Sequence, residues 1–127
     1  MDKTLSQTQP SVIEKIGLKK IIYRWNIQSR QLVDPMTDES YTQYEYYQVV
    51  VYCPITANKI TQKVIGTVWP VDYEQKLVND YNAAQLNLFD PGTTQLIIDR
   101  YRQFLQDRQA LKEQIDADCI EAGLPLS

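Results

Sequence analysis

The longest uninterrupted helical pattern in this chain lies near its C-terminus and constrains the fold more than any other stretch. Between Thr93 and Ala122 there is no proline and no glycine, and Gly123 follows directly. Apolar or half-apolar residues recur there in steps of three, four or seven, which is the spacing of one helix face. These residues are Ile97, Tyr101, Phe104, Leu111, Ile115 and Cys119. The pattern predicts a long helix that ends at Gly123 and whose stripe the preceding residues must cover.

Length and charge exclude several classes of protein. A chain of 127 residues is expected to form a single domain, residues 1–127. A net charge of −3 argues against a nucleic-acid surface, which would show clustered Lys and Arg. The polar N-terminus has no signal-peptide pattern, and no apolar run is long enough to span a membrane. We therefore expect a cytoplasmic protein without nucleic-acid or membrane partners.

Residue types needed for common catalytic sites are missing. The chain has no histidine, so a Ser-His-Asp triad, a Cys-His pair and a Cys/His zinc site are all excluded. Four scattered glycines form no phosphate-binding loop. We expect no enzyme activity, no catalytic residue, no metal and no cofactor. Cys53 and Cys119 are interpreted as small buried hydrophobic residues in a reducing environment.

Three segments predict an antiparallel sheet. Leu18–Ile27 and Tyr44–Cys53 alternate with the period of strands. The stretch from Thr56 to Trp69 is ambiguous, because Thr56 is a possible N-cap for a helix, whereas the many β-branched residues and Gly66 favour a strand. We predict a third strand from about Gln62 to Val68.

The connecting segments are predicted to be less regular. Residues 1–11 are expected to be mobile, and residues 12–16 to form a short turn that Gly17 ends. Residues 28–43 are polar and predict either a disordered loop or a longer hairpin.

Two helices are predicted to follow the sheet. Asp72 and Gln75 have the spacing of a capping box, and Asp90-Pro91-Gly92 predicts a turn before the long helix. The predicted fold is α+β: a small antiparallel sheet of about three strands in residues 18–69, followed by an antiparallel helical hairpin in residues 72–123.

The first candidate binding surface is aromatic. One face of the strongest strand carries tyrosines, with tryptophans expected nearby, and such rings can stack on a carbohydrate or contact a peptide. The alternative is that these rings form core or a subunit interface. The candidate residues are Tyr44, Tyr46, Tyr52, Trp25 and Trp69.

The second candidate surface is acidic and lies at the end of the long helix. It consists of Glu113, Asp116, Asp118 and Glu121. Carboxylates at a helix C-terminus oppose the helix dipole. They are expected to be solvated, to pair with the basic cluster around residues 15–20, or to dock on a partner, whereas a metal site or carboxylate catalysis is the less favoured alternative.

The length of the last helix favours self-association. A helix of some 28 residues spans about 42 Å, whereas a compact domain of this size has a diameter of about 36 Å. The helix therefore protrudes or is covered by a second copy. We expect protein partners and a homo-oligomer.

Two segments of the C-terminal half carry a resemblance to a known group of proteins. The run Lys76-Leu77-Val78-Asn79-Asp80-Tyr81 precedes a series made of Phe104, Leu105, Arg108, Leu111 and Lys112. This arrangement resembles a family of small uncharacterised proteins encoded in phage or prophage regions of gut Bacteroidetes. The resemblance implies a structural or assembly role, in a virion if the protein is phage-derived. A binding module that uses the tyrosine-rich face is the alternative function.

Overall fold

The fold is α+β, with a four-stranded antiparallel sheet followed by three helices. A computed structural model of the chain describes residues 2–127. The elements are β1 (Thr4–Ser6), β2 (Ile13–Ile16), β3 (Lys20–Val33), β4 (Ser40–Tyr52), α1 (Ala57–Val68), α2 (Val71–Gln85) and α3 (Pro91–Glu121). The predicted fold class is confirmed, but the sheet ends earlier and has one more strand than expected.

The extra strands come from the N-terminus, which was predicted to be mobile. The strand order is β1-β4-β3-β2, so the two N-terminal strands occupy opposite edges of the sheet. The connection between them, residues 7–12, crosses β4 and β3 on the face away from the helices. Arg24 holds it there, because its side chain donates to the carbonyl of Ser11 at 3.1 Å and its N–H donates to Val12 at 2.8 Å. The expectation of a turn at 12–16 is wrong, because Ile13–Ile16 is a strand, and β1 lies within the segment that was expected to be mobile.

The segment from 28 to 43, for which a loop or a longer hairpin was expected, forms the hairpin. β3 and β4 pair as far as Val33 and Ser40, and a short turn is closed by the N–H of Asp34 donating to Glu39 at 2.9 Å. Polar residues are tolerated in these strands because this part of the ribbon has no helix layer and is largely exposed. A cross-strand bond from Gln31 to Thr42, 2.7 Å long, adds to the pairing.

The core lies between one face of the sheet and the helices. Alternate residues of β3 and β4 point into it, as the period of strands requires, and α1 and the C-terminal half of α3 cover them. The buried members of this core are Ile21, Tyr23, Trp25, Val49, Val51, Ala57, Ile60, Val64, Ile115 and Cys119.

The predicted third strand at 62–68 is instead the second half of α1. Ala57, Ile60 and Val64 are fully buried at helical spacing, and Thr56 caps the helix by accepting from the N–H of Lys59 at 3.1 Å. Burial of this face outweighs the low helix propensity of β-branched residues, which costs only a few tenths of a kcal/mol per residue. Gly66 faces outward, where a Cβ would have no neighbour within 4 Å.

The two remaining helices, α2 and α3, begin with different N-caps. α2 begins at Val71 with Pro70 as N-cap and no side-chain cap, so the capping box at Asp72 is not formed. α3 begins two residues before the predicted start, with Asp90 as N-cap, which accepts from the N–H of Thr93 at 2.9 Å. These bonds lower the pKa of the Asp90 carboxyl.

The cysteines do not share one environment. Cys119 is fully buried in the core, and burial raises the pKa of its thiol. Cys53 is exposed, contrary to expectation, and both thiols are free. Its exposure follows from its place just beyond the end of β4, where its Sγ lies 3.3 Å from the carbonyl oxygen of Leu18.

Tyr23 links the centre of the sheet to α3. Its ring is fully buried, and its hydroxyl donates to Asp118 at 2.6 Å. Burial, and then the bond to Asp118, raise the pKa of Tyr23 well above its ordinary value of 10.0.

Replacement of Tyr23 by phenylalanine should lower the free energy of unfolding at neutral pH by about 1–2 kcal/mol, because Asp118 loses its donor. Above pH 10 the unfolded wild type releases the Tyr23 proton while the folded protein retains it. The stability advantage of the wild type over the variant should therefore fall by about 1.4 kcal/mol per pH unit in that range. Urea unfolding of both proteins between pH 7 and pH 11 tests this, and a constant difference across that range would contradict it.

Candidate functional site

A β-bulge in β3 shapes the most open side of the core. Trp25 pairs with Tyr47 and Gln28 with Glu45, so two residues of β3 oppose one residue of β4. Asn26 adopts a left-handed conformation there, with φ of 55°, which asparagine tolerates better than most residues. Since β2 pairs with β3 only as far as Tyr23, the edge of β3 is free at the bulge.

A cleft of about 840 Å³ lies between this free edge and the middle of α3. Three aromatic rings line it: Trp25 and Tyr47 from the sheet, whose centroids are 5.8 Å apart, and Trp69 from the end of α1. Polar side chains on the helix side and at the bulge complete the lining. We call this the aromatic cleft; its polar residues include Asn26, Asp107, Gln114 and Asp118.

The one basic group that lines the cleft is already neutralised. Arg24 donates to Glu14 at 2.6 Å and to Gln48 at 3.1 Å, in addition to its bond to the crossing segment. Its guanidinium also lies 5.5 Å from the ring centroid of Tyr46. Asp107, by contrast, is exposed and forms no ion pair within residues 2–127. The cleft therefore suits neutral or basic polar ligands and disfavours anions.

The predicted aromatic residues do not form one surface. Tyr44 and Tyr46 lie on the sheet face away from the helices, where Tyr46 is only 6% exposed beneath the crossing segment. Tyr52 is 60% exposed near the end of β4. Trp25 and Trp69 lie on the helix side and line the aromatic cleft. Strand alternation explains the division, since Trp25 has the opposite orientation to the even-numbered tyrosines of β4.

The predicted acidic residues are also divided. Asp118 lines the cleft and accepts from Tyr23, whereas Asp116 lies 3.8 Å from Lys112, four residues earlier on the same helix. Glu113 accepts from Gln109 at 3.1 Å, and Glu121 is exposed. The expected pairing with the basic cluster at 15–20 is absent from the part of the chain that the structure describes. Within residues 2–127 there is also no group of three or more Asp, Glu, Cys or His that could hold a metal ion.

A second feature is the arm formed by α2 and the first half of α3, residues 71–105. Among the described elements, α2 packs extensively only on α3. The seam between the two helices buries Leu77, Ala84 and Phe104. Because the core contains residues of α3 only from Leu111 onward, the arm extends beyond the sheet.

One side of the arm is apolar but carries no further layer. Tyr81 of α2 and Tyr101 of α3 stack with centroids 4.8 Å apart. Residues three and four positions away lie on the same side of each helix: Val78 in α2, and Ile98 and Leu105 in α3. Leu105 is 45% exposed and the other four are half-buried. We call these five residues the arm face.

Comparisons with protein-family models, with curated proteins and with solved structures gave no significant match to this chain. Among the residues described, no helix combines the length and the apolar composition that crossing a membrane requires. The geometry of the aromatic cleft and of the arm face is therefore the basis for a functional proposal.

Replacement of Arg24 by lysine should lower the free energy of unfolding by about 1–3 kcal/mol, because an ammonium cannot reach the three acceptors that the guanidinium fork bonds. Arg30→Lys is the matched control. The guanidinium of Arg30 forms an ion pair with Glu45 and its side chain is 61% exposed, so its replacement should change stability by less than about 0.5 kcal/mol. Chemical denaturation of both variants tests this, and equal effects would contradict a specific anchoring role for Arg24.

Proposed function

We propose that this protein is a non-enzymatic structural or assembly protein that associates with further copies of itself through the arm face. The observation that supports the proposal is the apolar side of a two-helix arm that has no third layer. Helices in soluble proteins normally bury such a stripe against another element. A second copy of the arm is the occupant with a matching surface, because a two-fold axis brings the same apolar patch of both copies into contact.

Exposed apolar residues are concentrated on the arm as a whole, and one of them, Leu105, belongs to the arm face. Of the fifteen large hydrophobic residues that are exposed in the described part of the chain, seven lie within residues 71–105, which make up about a quarter of the chain. Concentrated apolar exposure marks interaction surfaces, whereas scattered single residues do not. Those on the arm are Val71, Tyr73, Leu86, Leu88, Phe89, Leu96 and Leu105.

The size of the arm face sets the expected affinity. α2 has 15 residues and is therefore about 22 Å long, and two adjacent helices are about 20 Å wide. Each copy thus offers about 440 Å², and a pair buries about 900 Å², which is at the low end for specific interfaces. The contact should be weak and reversible, as suits a subunit that associates through repeated copies.

The residues that carry the phage-family resemblance lie mostly on this arm. Lys76–Tyr81 belongs to α2, and the series that begins at Phe104 runs from the arm into the rest of α3. The resemblance extends the proposal to assembly of a phage particle or a prophage product, with the protein in the cytoplasm or in the virion. Capsid or tail genes on both sides of its gene would support this extension, and a neighbourhood without phage genes would count against it.

Replacement of Leu105 by glutamate should abolish self-association. The change places a charge at the most exposed residue of the arm face, and glutamate is nearly as good a helix former as leucine. Sedimentation velocity from about 10 μM to about 1 mM should show concentration-dependent association for the wild type and a monomer for the variant, given the small interface.

The matched control for this test is Leu18→Glu. Leu18 is 97% exposed in the turn between β2 and β3, far from the arm in the sequence. The Leu18→Glu variant carries the same change in charge and hydropathy as Leu105→Glu, and should associate like the wild type. A wild-type protein that stays monomeric over the whole concentration range would overturn the proposal.

A second candidate function is a binding module that uses the aromatic cleft. The observation that favours it is the combination of exposed ring surface from Tyr47 and Trp69 with the amide of Gln114 and the carboxylate of Asp107. Apolar ring faces with a few polar groups that fix orientation are typical of small-ligand sites. Neutral oligosaccharides present both apolar ring faces and hydroxyls, and are the preferred class.

Tryptophan fluorescence titration with neutral oligosaccharides tests the second candidate. Gln114→Ala should weaken binding about tenfold by removing a hydrogen-bonding group from the cleft. Gln106→Ala is the control, because Gln106 is exposed on the same helix but lies outside the lining of the cleft. Equal affinities of the two variants for the oligosaccharide would contradict a binding site in the cleft.

A further inference from the structure

We propose that the groove between the free edge of β4 and helix α1 binds an extended acidic peptide as an added strand. This groove, which we call the edge groove, has a volume of about 440 Å³ and lies on the other side of the sheet from β2. It is lined by Val50, Val51, Tyr52, Lys59, Gln62 and Lys63.

The edge of β4 beside the groove has no strand partner. β1 is the only strand on this side, and it pairs with Tyr44, Glu45 and Tyr46 alone. From Gln48 to Tyr52 the edge is therefore free of any neighbouring strand within residues 2–127. Free edges of this kind are templates for pairing with another chain.

The backbone of β4 presents alternate residues to the groove. Arg24, which pairs with Gln48, directs its N–H away from β4 to Val12. In an antiparallel ladder, paired residues either bond each other or both bond outward. Gln48 therefore directs its N–H and C=O toward the free edge, and so does Val50 two residues later.

A contact at Tyr52 supports this assignment. Its carbonyl accepts a hydrogen bond from the ammonium of Lys59 at 2.6 Å, so it points to the outer edge rather than to β3. The same bond fixes the start of α1 beside the edge and makes the helix one wall of the groove. Val50 is left with a donor and an acceptor for an added strand.

The helix wall supplies the charge that selects the ligand. Lys59 and Lys63 lie one turn apart on α1, and neither forms an ion pair within residues 2–127. The four residues from Lys59 to Lys63 advance the helix by about 6 Å, and alternate side chains of a strand are about 6.8 Å apart. Two acidic side chains at alternate positions of a peptide can therefore meet the two ammonium groups.

These features together define a known mode of peptide recognition. In strand addition, main-chain hydrogen bonds give affinity and alternate side chains give specificity. Here the N–H and C=O of Val50 supply the main-chain hydrogen bonds, and the ammonium groups of Lys59 and Lys63 supply the specificity. The ligand is thus an extended segment with an acidic residue at every second position, and the site is distinct from the arm face and from the aromatic cleft.

The test uses the labelled peptide acetyl-Val-Glu-Val-Glu-Val-amide and the full chain. Fluorescence anisotropy should show saturable binding that weakens as salt is added, because charge contacts at a surface are screened. Binding should shift the amide NMR signal of Val50. A peptide with lysine in place of glutamate, and one with the central amide N-methylated, should both fail to bind.

Protein variants separate the charge contact from non-specific attraction. Lys63→Glu should weaken binding about five- to tenfold. Lys19→Glu makes the same change in net charge outside the groove and should bind like the wild type. Leu105→Glu should also bind normally, which keeps this test independent of self-association.

Several outcomes would overturn the proposal. Equal losses in Lys63→Glu and Lys19→Glu would show only general electrostatic attraction, and binding of the N-methylated peptide would exclude strand addition. A shift of the Val50 amide with protein concentration alone would show that a second copy occupies the groove. Absence of saturable binding at low salt would exclude an acidic peptide ligand.

Discussion

The arrangement of the whole molecule depends on the packing of the C-terminal half of α3 against the sheet. Ile115 and Cys119 are fully buried there, and Tyr23 donates to Asp118 from the centre of β3. Full burial of one side chain such as Ile115 contributes about 1.5–3 kcal/mol. Because α2 packs extensively only on α3, the position of the arm relative to the sheet is set through this contact. The shape of the aromatic cleft also depends on this packing, since α3 forms the helix side of the cleft.

Much of this architecture follows from hydrophobic spacing. The stripe that includes Phe104 and Ile115 predicted the long helix, and strict alternation predicted the two central strands. The prediction was wrong at 62–68, where residue composition was given more weight than the spacing of Ile60 and Val64. Strand β1 was not predicted, because it has only three residues. A strand that short is stabilised by its neighbour in the sheet, which no local pattern reveals.

The candidate sites were less predictable than the fold. The aromatic cleft joins a bulge at Asn26 to Asp107 and Gln114, which are more than 80 residues away in the sequence, and such a juxtaposition has no local signal. The alternation of Leu18–Ile27 continues through Asn26, so the sequence gives no sign of the bulge. Asp118 was identified as part of an acidic cluster, but its partner is the buried hydroxyl of Tyr23 rather than a lysine. Separation along the chain, not residue type, limited the prediction.

The placement of β1 and β2 has a consequence for synthesis of the protein on the ribosome. The partners of these two strands lie at different distances along the chain: β2 pairs with Lys20–Tyr23, one turn away, whereas β1 pairs with Tyr44–Tyr46, about 40 residues later. β1 therefore stays unpaired until β4 has been synthesised, and only then can the segment that crosses the sheet settle over Arg24. α3, which closes the core, is synthesised after all of these strands. Completion of the fold consequently joins a strand that precedes the central hairpin to a helix that follows it.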